Sequence, residues 1–188
     1  ASEHALSVAN SYSPGEQSMY MSGTWLEGST VKTRSEIARQ GAVKGEVESG
    51  WLPALPESGV SGQLAYYGLG CTNPEDNTPS APDQDVNGKI ALLERGVCPF
   101  YDKVWNAQKL GAIAALVFND PRYMTTMGCG APSDCENGPS IPAVMIERPG
   151  GLAFRDLVMD GTREITVTLD VALQVPLTDT HSPDSSRG

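Results

Sequence analysis

The sequence has few positive charges and no long apolar run. Its 188 residues include 13 Lys and Arg against 23 Asp and Glu, which gives a formal net charge of −10. That balance argues against nucleic acid as a partner, because such binding depends on cationic side chains that neutralise phosphates. No stretch of about 18 apolar residues is present, so the sequence predicts no segment that spans a membrane.

Histidine is scarce, and the cysteines lack the spacing of a metal site. The two histidines, His4 and His181, each lie near one end of the sequence. A zinc site would need closely paired ligands such as C-x2-C, and no such pair occurs. The sequence therefore favours disulfides over a metal for its four cysteines: Cys71, Cys98, Cys129 and Cys135.

The expected disulfides join Cys71 to Cys98 and Cys129 to Cys135, because the last two share one short loop rich in Gly, Pro and Ser. The first should stabilise the fold by roughly 3–4 kcal/mol and the second by about 2 kcal/mol. Disulfides imply an oxidising compartment, so we expect a secreted, extracellular protein. The absence of an N-x-S/T sequon suits a bacterial origin.

Motifs of catalysis are also missing. No serine lies in a G-x-S-x-G elbow, no G-x-x-x-x-G-K-[ST] loop is present, and nothing singles out two of the acids as a glycosidase pair. Cysteines joined in disulfides supply no free thiolate. The sequence therefore predicts that this chain is not itself an enzyme and that it contains no catalytic residue.

A strand, a helix and a second strand follow one another near the middle of the sequence. Residues 89–94 and 113–118 are short apolar runs typical of buried strands. Residues 100–110 carry an apolar stripe with helical spacing, preceded by Pro99 and followed by Gly111. This order predicts a βαβ unit with two parallel, neighbouring strands.

The rest of the pattern indicates further strands and one more helix. Strands are expected at residues 63–67, 141–147 and 164–173, a weaker edge strand at residues 42–50, and a helix near residues 152–159. Residues 11–40 are mostly polar, and we expect an extended bridging segment there. The fold class predicted is α+β, a β-rich barrel or sandwich with a βαβ unit and two or three short helices.

Three spaced motifs resemble the protease-associated (PA) domain. They are residues 88–100 (GKIALLERGVCPF), residues 103–112 (KVWNAQKLGA) and residues 141–144 (IPAV), within a match that spans roughly residues 62–169. The resemblance implies a compact β-rich domain without catalytic residues of its own. Such domains are inserted in or fused to secreted peptidases and sorting receptors.

Both ends of the sequence are similar to segments of subtilisin-like serine proteases. Residues 185–188 (SSRG) resemble the segment that precedes the catalytic serine, and residues 2–10 resemble a core strand of those enzymes. In several of them a PA domain is inserted between these two points. We therefore expect a subtilase-like edge and bridging segment at residues 1–40, the PA domain at residues 41–173 and a second subtilase-like edge at residues 174–188.

The function expected is that of a non-catalytic domain in a secreted subtilisin-like endopeptidase. It would contact protein substrate or the parent catalytic domain, or control access to the active site, and the fragment should be a monomer. The alternative is a stand-alone PA-type domain that binds a ligand or cargo in a lumenal compartment. A PA insertion in a zinc peptidase is a third option, but the subtilase-like segments at both ends of the sequence argue against it.

The long loop after the second strand of the βαβ unit is the candidate binding surface. Its candidate residues are Arg122, Tyr123, Met124 and Met127, since Met and Tyr on an ordered loop form an adaptable contact surface. The equal alternative is that both methionines fold back onto the core. No cofactor is expected; four acids in residues 72–87 suggest calcium, but the D-x-[DN]-x-[DN]-G loop is absent.

Overall fold

Seven strands close into a barrel in the computed structural model, which describes residues 17–46, 49–121 and 124–176. The barrel order is β1-β2-β6-β5-β4-β3-β7. Three helices lie between the strands in this part of the chain, in agreement with the predicted α+β class. The strands are β1 (Gln17–Glu27), β2 (Thr30–Gln40), β3 (Val60–Gly68), β4 (Ile90–Glu94), β5 (Ala114–Phe118), β6 (Ala143–Ile146) and β7 (Thr166–Pro176), and the helices are α1 (Phe100–Lys109), α2 (Pro132–Glu136) and α3 (Arg148–Met159).

The predicted βαβ unit is confirmed as β4, α1 and β5. β4 and β5 pair in parallel, with Ile90 opposite Ala114 and Glu94 opposite Phe118. β3 and β6 extend this parallel set on either side, while β1, β2 and β7 complete the barrel with antiparallel pairs. Gly111 follows α1 with φ of 85°, a conformation that glycine adopts without strain at the end of a helix.

The interior of the barrel is filled by apolar side chains from all seven strands. Successive side chains of a strand point to opposite faces, so alternate residues such as Met19 and Met21 of β1 or Val167 and Leu169 of β7 belong to this core. α3 adds Phe154 and Val158 to the same cluster.

A second apolar cluster covers the outer face of the four parallel strands. Its members include Ala91 and Leu93 of β4, Val104 and Ala107 of α1, and Trp51. Both faces of β4, β5 and β6 are therefore buried, which explains why their sequences are continuously apolar rather than alternating.

The sequence patterns did not predict that β1 and β2 form a long hairpin. The segment expected to bridge two domains contains two strands of 11 residues joined by Gly28 and Ser29. Gly28 has φ of 61°, as two-residue hairpin turns require. The barrel thus includes strands on both sides of the boundary expected at residue 41. The edge strand expected at residues 42–50 is wrong for the described part of that range, where Val43 and Lys44 lie in isolated bridges, that of Val43 with Leu52, and no strand forms.

The two ends of the described chain leave the barrel side by side. Gln17 at the start of β1 is the ladder partner of Pro176 at the end of β7. The hairpin turn lies at the other end of β1, roughly 30 Å away for a strand of this length. Among the described residues, no helix has the length and apolar character needed to cross a membrane.

Candidate functional site

In the candidate loop of residues 122–135, Met127 and Cys129 are the buried residues among those described, and both belong to the outer core. Arg122 and Tyr123 lie outside the described residues. Met124 is half-buried against the outer cluster, and Met127 is fully buried within it. For Met127 the structure therefore supports the alternative, that the side chain folds back onto the core. A binding role for Arg122, Tyr123 and Met124 stays a prediction.

Hydrogen bonds from a distant segment hold Met127 in place. The Trp51 indole Nε1 donates to the Met127 carbonyl at 2.8 Å, and the Ala42 amide donates to the same oxygen at 3.1 Å. Trp51 itself is fully buried. The loop thus contributes Met127 to the outer core rather than presenting this side chain to solvent.

The four cysteines form the two disulfides in the expected pairing. Cys71 is bonded to Cys98 and Cys129 to Cys135, which leaves no free cysteine. The first disulfide links the segment after β3 to the start of α1. The second closes a short loop that contains most of α2, a helix found within the segment expected to be irregular.

Two polar side chains of α1 fasten the segment next to the first disulfide. The fully buried Lys103 donates from Nζ to the carbonyl of Leu69 at 2.5 Å. Asn106 donates from Nδ2 to the Gly70 carbonyl at 3.0 Å and to the Thr72 hydroxyl at 3.1 Å. Buried polar groups are tolerated when they are bonded in this way. These residues therefore anchor the loop to α1.

Replacing Lys103 with methionine should remove a pH-dependent part of the stability. Burial lowers the pKa of the Lys103 ammonium from 10.5 to about 8, although the charges of Glu94 and Asp102 partly oppose this. The unfolded chain then binds this proton more tightly, so Lys103 should raise the free energy of unfolding by about 1 kcal/mol between about pH 7 and pH 9. Urea denaturation at both pH values should show that rise in the wild type and not in Lys103→Met.

Lys109, an exposed lysine of the same helix, supplies the control. A Lys109→Met variant should keep the wild-type rise in stability with pH. An equal rise in Lys103→Met and in the wild type would contradict the assignment of a low pKa to Lys103.

The acidic loop of residues 72–87 uses its carboxylates to cap turns. Asp76 accepts hydrogen bonds from the amide and the hydroxyl of Thr78 at 3.0 and 2.7 Å, and these bonds lower the pKa of the Asp76 carboxyl. Asp85 accepts from the Asn87 amide at 3.0 Å. Within the described ranges, no group of three or more His, Cys, Asp or Glu side chains is arranged to hold a metal ion, and this includes the four acids of the loop: Glu75, Asp76, Asp83 and Asp85.

Charged residues at the carboxyl ends of β4, β5 and β6 neutralise one another. Glu94 accepts from Arg148 at 3.0 Å, and Arg95 donates to the Asn119 side chain at 2.7 Å. Arg95 also lies 3.8 Å from the Asp120 carboxylate. These pairs tie the three strand ends together.

The tip of the β1–β2 hairpin, defined as residues 25–32, carries a pair of exposed apolar side chains. Leu26 and Val31 are directly opposite each other in the ladder and are 61% and 67% exposed. β7 stops pairing with β1 at Thr24, so no third strand of the described residues accompanies the tip. Exposed apolar side chains grouped in this way are typical of a contact surface.

A cleft of about 480 Å³ lies beside the hairpin tip. Trp25, Leu26 and Val31 line it from the hairpin, and the turn before β7 lines the opposite side, at Arg163 and Glu164. Arg163 bridges the two walls, since it forms ion pairs with Asp160 and, at 3.9 Å, with Glu27 of the tip. The cleft combines apolar side chains with a few charged groups, as ligand-binding sites do.

His4 and His181 both lie outside the described residues, and the four cysteines are all engaged in disulfides. Sequence reasoning had no means of finding the hairpin tip from apolar content, but the Gly28-Ser29 pair between two extended runs is a hairpin signal that could have revealed it.

A family model and several known proteins resemble this chain. The model of the PA domain matches residues 60–154, just over half of the sequence, from the start of β3 into α3. C5a peptidase from Streptococcus pyogenes is 31% identical over 159 residues, which cover 83% of this chain and 11% of that protein. A probable leucine aminopeptidase 2 from Aspergillus oryzae is 32% identical over 126 residues, or 66% of this chain and 24% of that protein.

The fold also resembles that of a solved structure. A zinc aminopeptidase from Bacillus subtilis superimposes with a TM-score of 0.50 at 20% identity, over 84% of this chain and 34% of that chain. At this identity the likeness concerns the fold alone. In each comparison the chain corresponds to a minor part of a longer protein, about a tenth of its length for C5a peptidase.

Proposed function

Because this chain belongs to the protease-associated (PA) domain family, we propose that it is the non-catalytic module of a secreted subtilisin-like serine endopeptidase. In that protein it contacts protein substrates or controls their access to the active site. The module contributes binding surface, and the parent catalytic domain contributes the chemistry.

The observation that carries this proposal is the adjacency of the two ends of the barrel. Gln17 and Pro176 are ladder partners, so a single surface loop of a host domain can be opened and joined to both. Domains whose ends lie close together are readily tolerated as insertions. The same geometry points the hairpin tip and its cleft away from the junction, where a polypeptide can reach them.

The identity of the host rests on sequence. Residues 2–10 and 185–188 resemble two points of the subtilisin-like fold between which PA domains are inserted. C5a peptidase, which matches most of this chain, is named as a peptidase and is far longer than the chain. Two disulfides suit an oxidising compartment and therefore support secretion.

An aminopeptidase host is the second candidate, and a specific observation favours it. A leucine aminopeptidase of Aspergillus oryzae shares 32% identity with two thirds of the chain. The gene segment that follows residue 188 discriminates between the hosts. A G-T-S-x-A-x-P serine segment supports the subtilisin-like host, whereas zinc ligands support the aminopeptidase, and a membrane-spanning helix supports the stand-alone lumenal domain.

The isolated chain should lack peptidase activity. It supplies no serine elbow and no free thiol, and peptide-bond hydrolysis at a useful rate needs an activated nucleophile or metal-bound water. Incubation of the purified chain with casein should therefore release no more peptide than buffer does. Turnover of casein that a serine-directed inhibitor abolishes would contradict the non-catalytic assignment.

A further inference from the structure

Half of β2 has an open edge. β6 pairs with β2 only at Ala38, Arg39 and Gln40, because the chain turns into α3 just after β6 ends. Glu36 lies against the first turn of α3, where a side chain at Gly150 would collide with its carboxylate. Among the described residues, the remaining stretch of β2, residues 30–35, pairs with β1 alone.

This open edge is accessible and long enough to hold a short strand. Five of its six residues are exposed, and Arg34 is half-buried. Six residues in extended conformation span about 20 Å. The edge of a strand presents unpaired N–H and C=O groups, which form a template for pairing with another extended chain.

The charge of the open edge is opposite to that of the whole molecule. The chain has a net charge of −10, yet the only charged residues within residues 30–35 are Lys32 and Arg34. Both side chains project to the same face, because alternate residues of a strand share a face. Lys32 lies 3.7 Å from the Glu27 carboxylate, and both side chains are exposed, so this ion pair contributes little to stability. Arg34 donates a hydrogen bond from Nε to the Glu36 carboxylate.

The opposite face of the open edge is apolar at Val31. Val31 is 67% exposed and stands beside Leu26 across the hairpin. An added strand would therefore place alternate side chains opposite Lys32 and Arg34 on one face, and the side chains between and beside them opposite Thr33 and Val31 on the other face. The complementary pattern is an acidic residue at every second position with an apolar residue between.

We propose that the open edge of β2 binds an extended, acidic segment of polypeptide by strand addition. A second copy of this chain fits less well, because an antiparallel pair of identical edges sets Lys32 and Arg34 against the same cations of the other copy, and like charges directly opposite destabilise a sheet. The charges of the edge therefore disfavour pairing with a second copy and favour an acidic partner. This inference rests on the proposed function in taking a polypeptide as the partner.

The test uses the full chain and a labelled peptide. A fluorescein-labelled, capped peptide in which Glu and Val alternate is titrated with the chain, and fluorescence anisotropy measures the affinity. Wild type should bind saturably, and a Lys32→Glu, Arg34→Glu double variant should bind at least about tenfold more weakly. The same peptide with Lys in place of Glu should not bind. Absence of saturable binding to the wild type would overturn the proposal.

A matched variant separates the edge from general electrostatics. Lys44→Glu with Lys109→Glu changes the net charge by the same amount at two exposed lysines outside the hairpin, and it should bind as the wild type does. An equal loss in both double variants would overturn the proposal. Thermal unfolding of each variant shows whether it is folded, and little change is expected for exposed positions.

N-methylated peptides test for the strand itself. Methylation of one alternating set of peptide amides should abolish binding because those N–H groups face β2, whereas methylation of the other set should not. Equal binding of the two methylated peptides would contradict strand addition. None of these outcomes bears on whether the chain is a module of a peptidase, which is measured in the full-length protein.

Discussion

Replacing Phe154 with alanine is expected to lower the free energy of unfolding by about 3–5 kcal/mol. Phe154 is fully buried and is the largest side chain that α3 contributes to the interior of the barrel. Its ring lies against Gly23 of β1, where any side chain would collide with it. Because rigid strands surround the ring, the cavity left by its removal cannot collapse fully. Urea denaturation monitored by tryptophan fluorescence measures the change in the free energy of unfolding.

Met159 provides the control in the same helix. It is 49% exposed at the end of α3, so Met159→Ala should change the free energy of unfolding by less than about 0.5 kcal/mol. A similar cost for the two variants would mean that α3 does not pack into the barrel as described.

Replacing both Cys71 and Cys98 with serine should lower the free energy of unfolding by about 3–4 kcal/mol. The disulfide spans 27 residues, and its removal restores chain entropy to the unfolded state. The loss should exceed that for the serine pair at Cys129 and Cys135, about 2 kcal/mol, because that disulfide spans only 6 residues. Urea denaturation under non-reducing conditions compares the two. A larger loss for the shorter loop would contradict this order.

The parts of the fold that the sequence predicted are those governed by local pattern. β4, α1 and β5 combine short apolar runs with a helical stripe, and Pro99 and Gly111 mark the limits of the helix. Burial on both faces makes these runs continuously apolar, so their signal is strong. The family resemblance lies in the same segment for the same reason, since its motifs are the strand, helix and turn residues of this unit.

The β1–β2 hairpin was not predicted because much of it extends beyond the core. Only Met19, Met21 and Ala38 among its apolar residues are buried. A strand that leaves the barrel has polar or exposed side chains on both faces, and then alternation disappears. The Gly28-Ser29 pair was the remaining local indication of a hairpin, and it predicts one only when both flanking segments are recognised as strands.

Burial that depends on distant segments could not be predicted from pattern. Met127 is held by Trp51, which lies 76 positions earlier in the chain. The position of Lys103 beside the apolar stripe of α1 is typical of an exposed lysine. In the structure the loop after β3 covers Lys103, and the Leu69 carbonyl of that loop accepts a hydrogen bond from its Nζ. In both cases the deciding partner comes from elsewhere in the sequence, so spacing alone cannot reveal it.

Excision of the module from the full-length protein shows most directly whether it contacts substrates or controls their access. Residues 17–176 are replaced by a short Gly/Ser linker, which the adjacent ends permit, and kcat/KM is measured for a small chromogenic peptide and for an intact protein substrate. We predict that kcat/KM for the small peptide stays within about threefold, while kcat/KM for the protein substrate changes by at least about tenfold, equivalent to about 1.4 kcal/mol. Unchanged kcat/KM for both substrates would contradict a role in substrate contact or access.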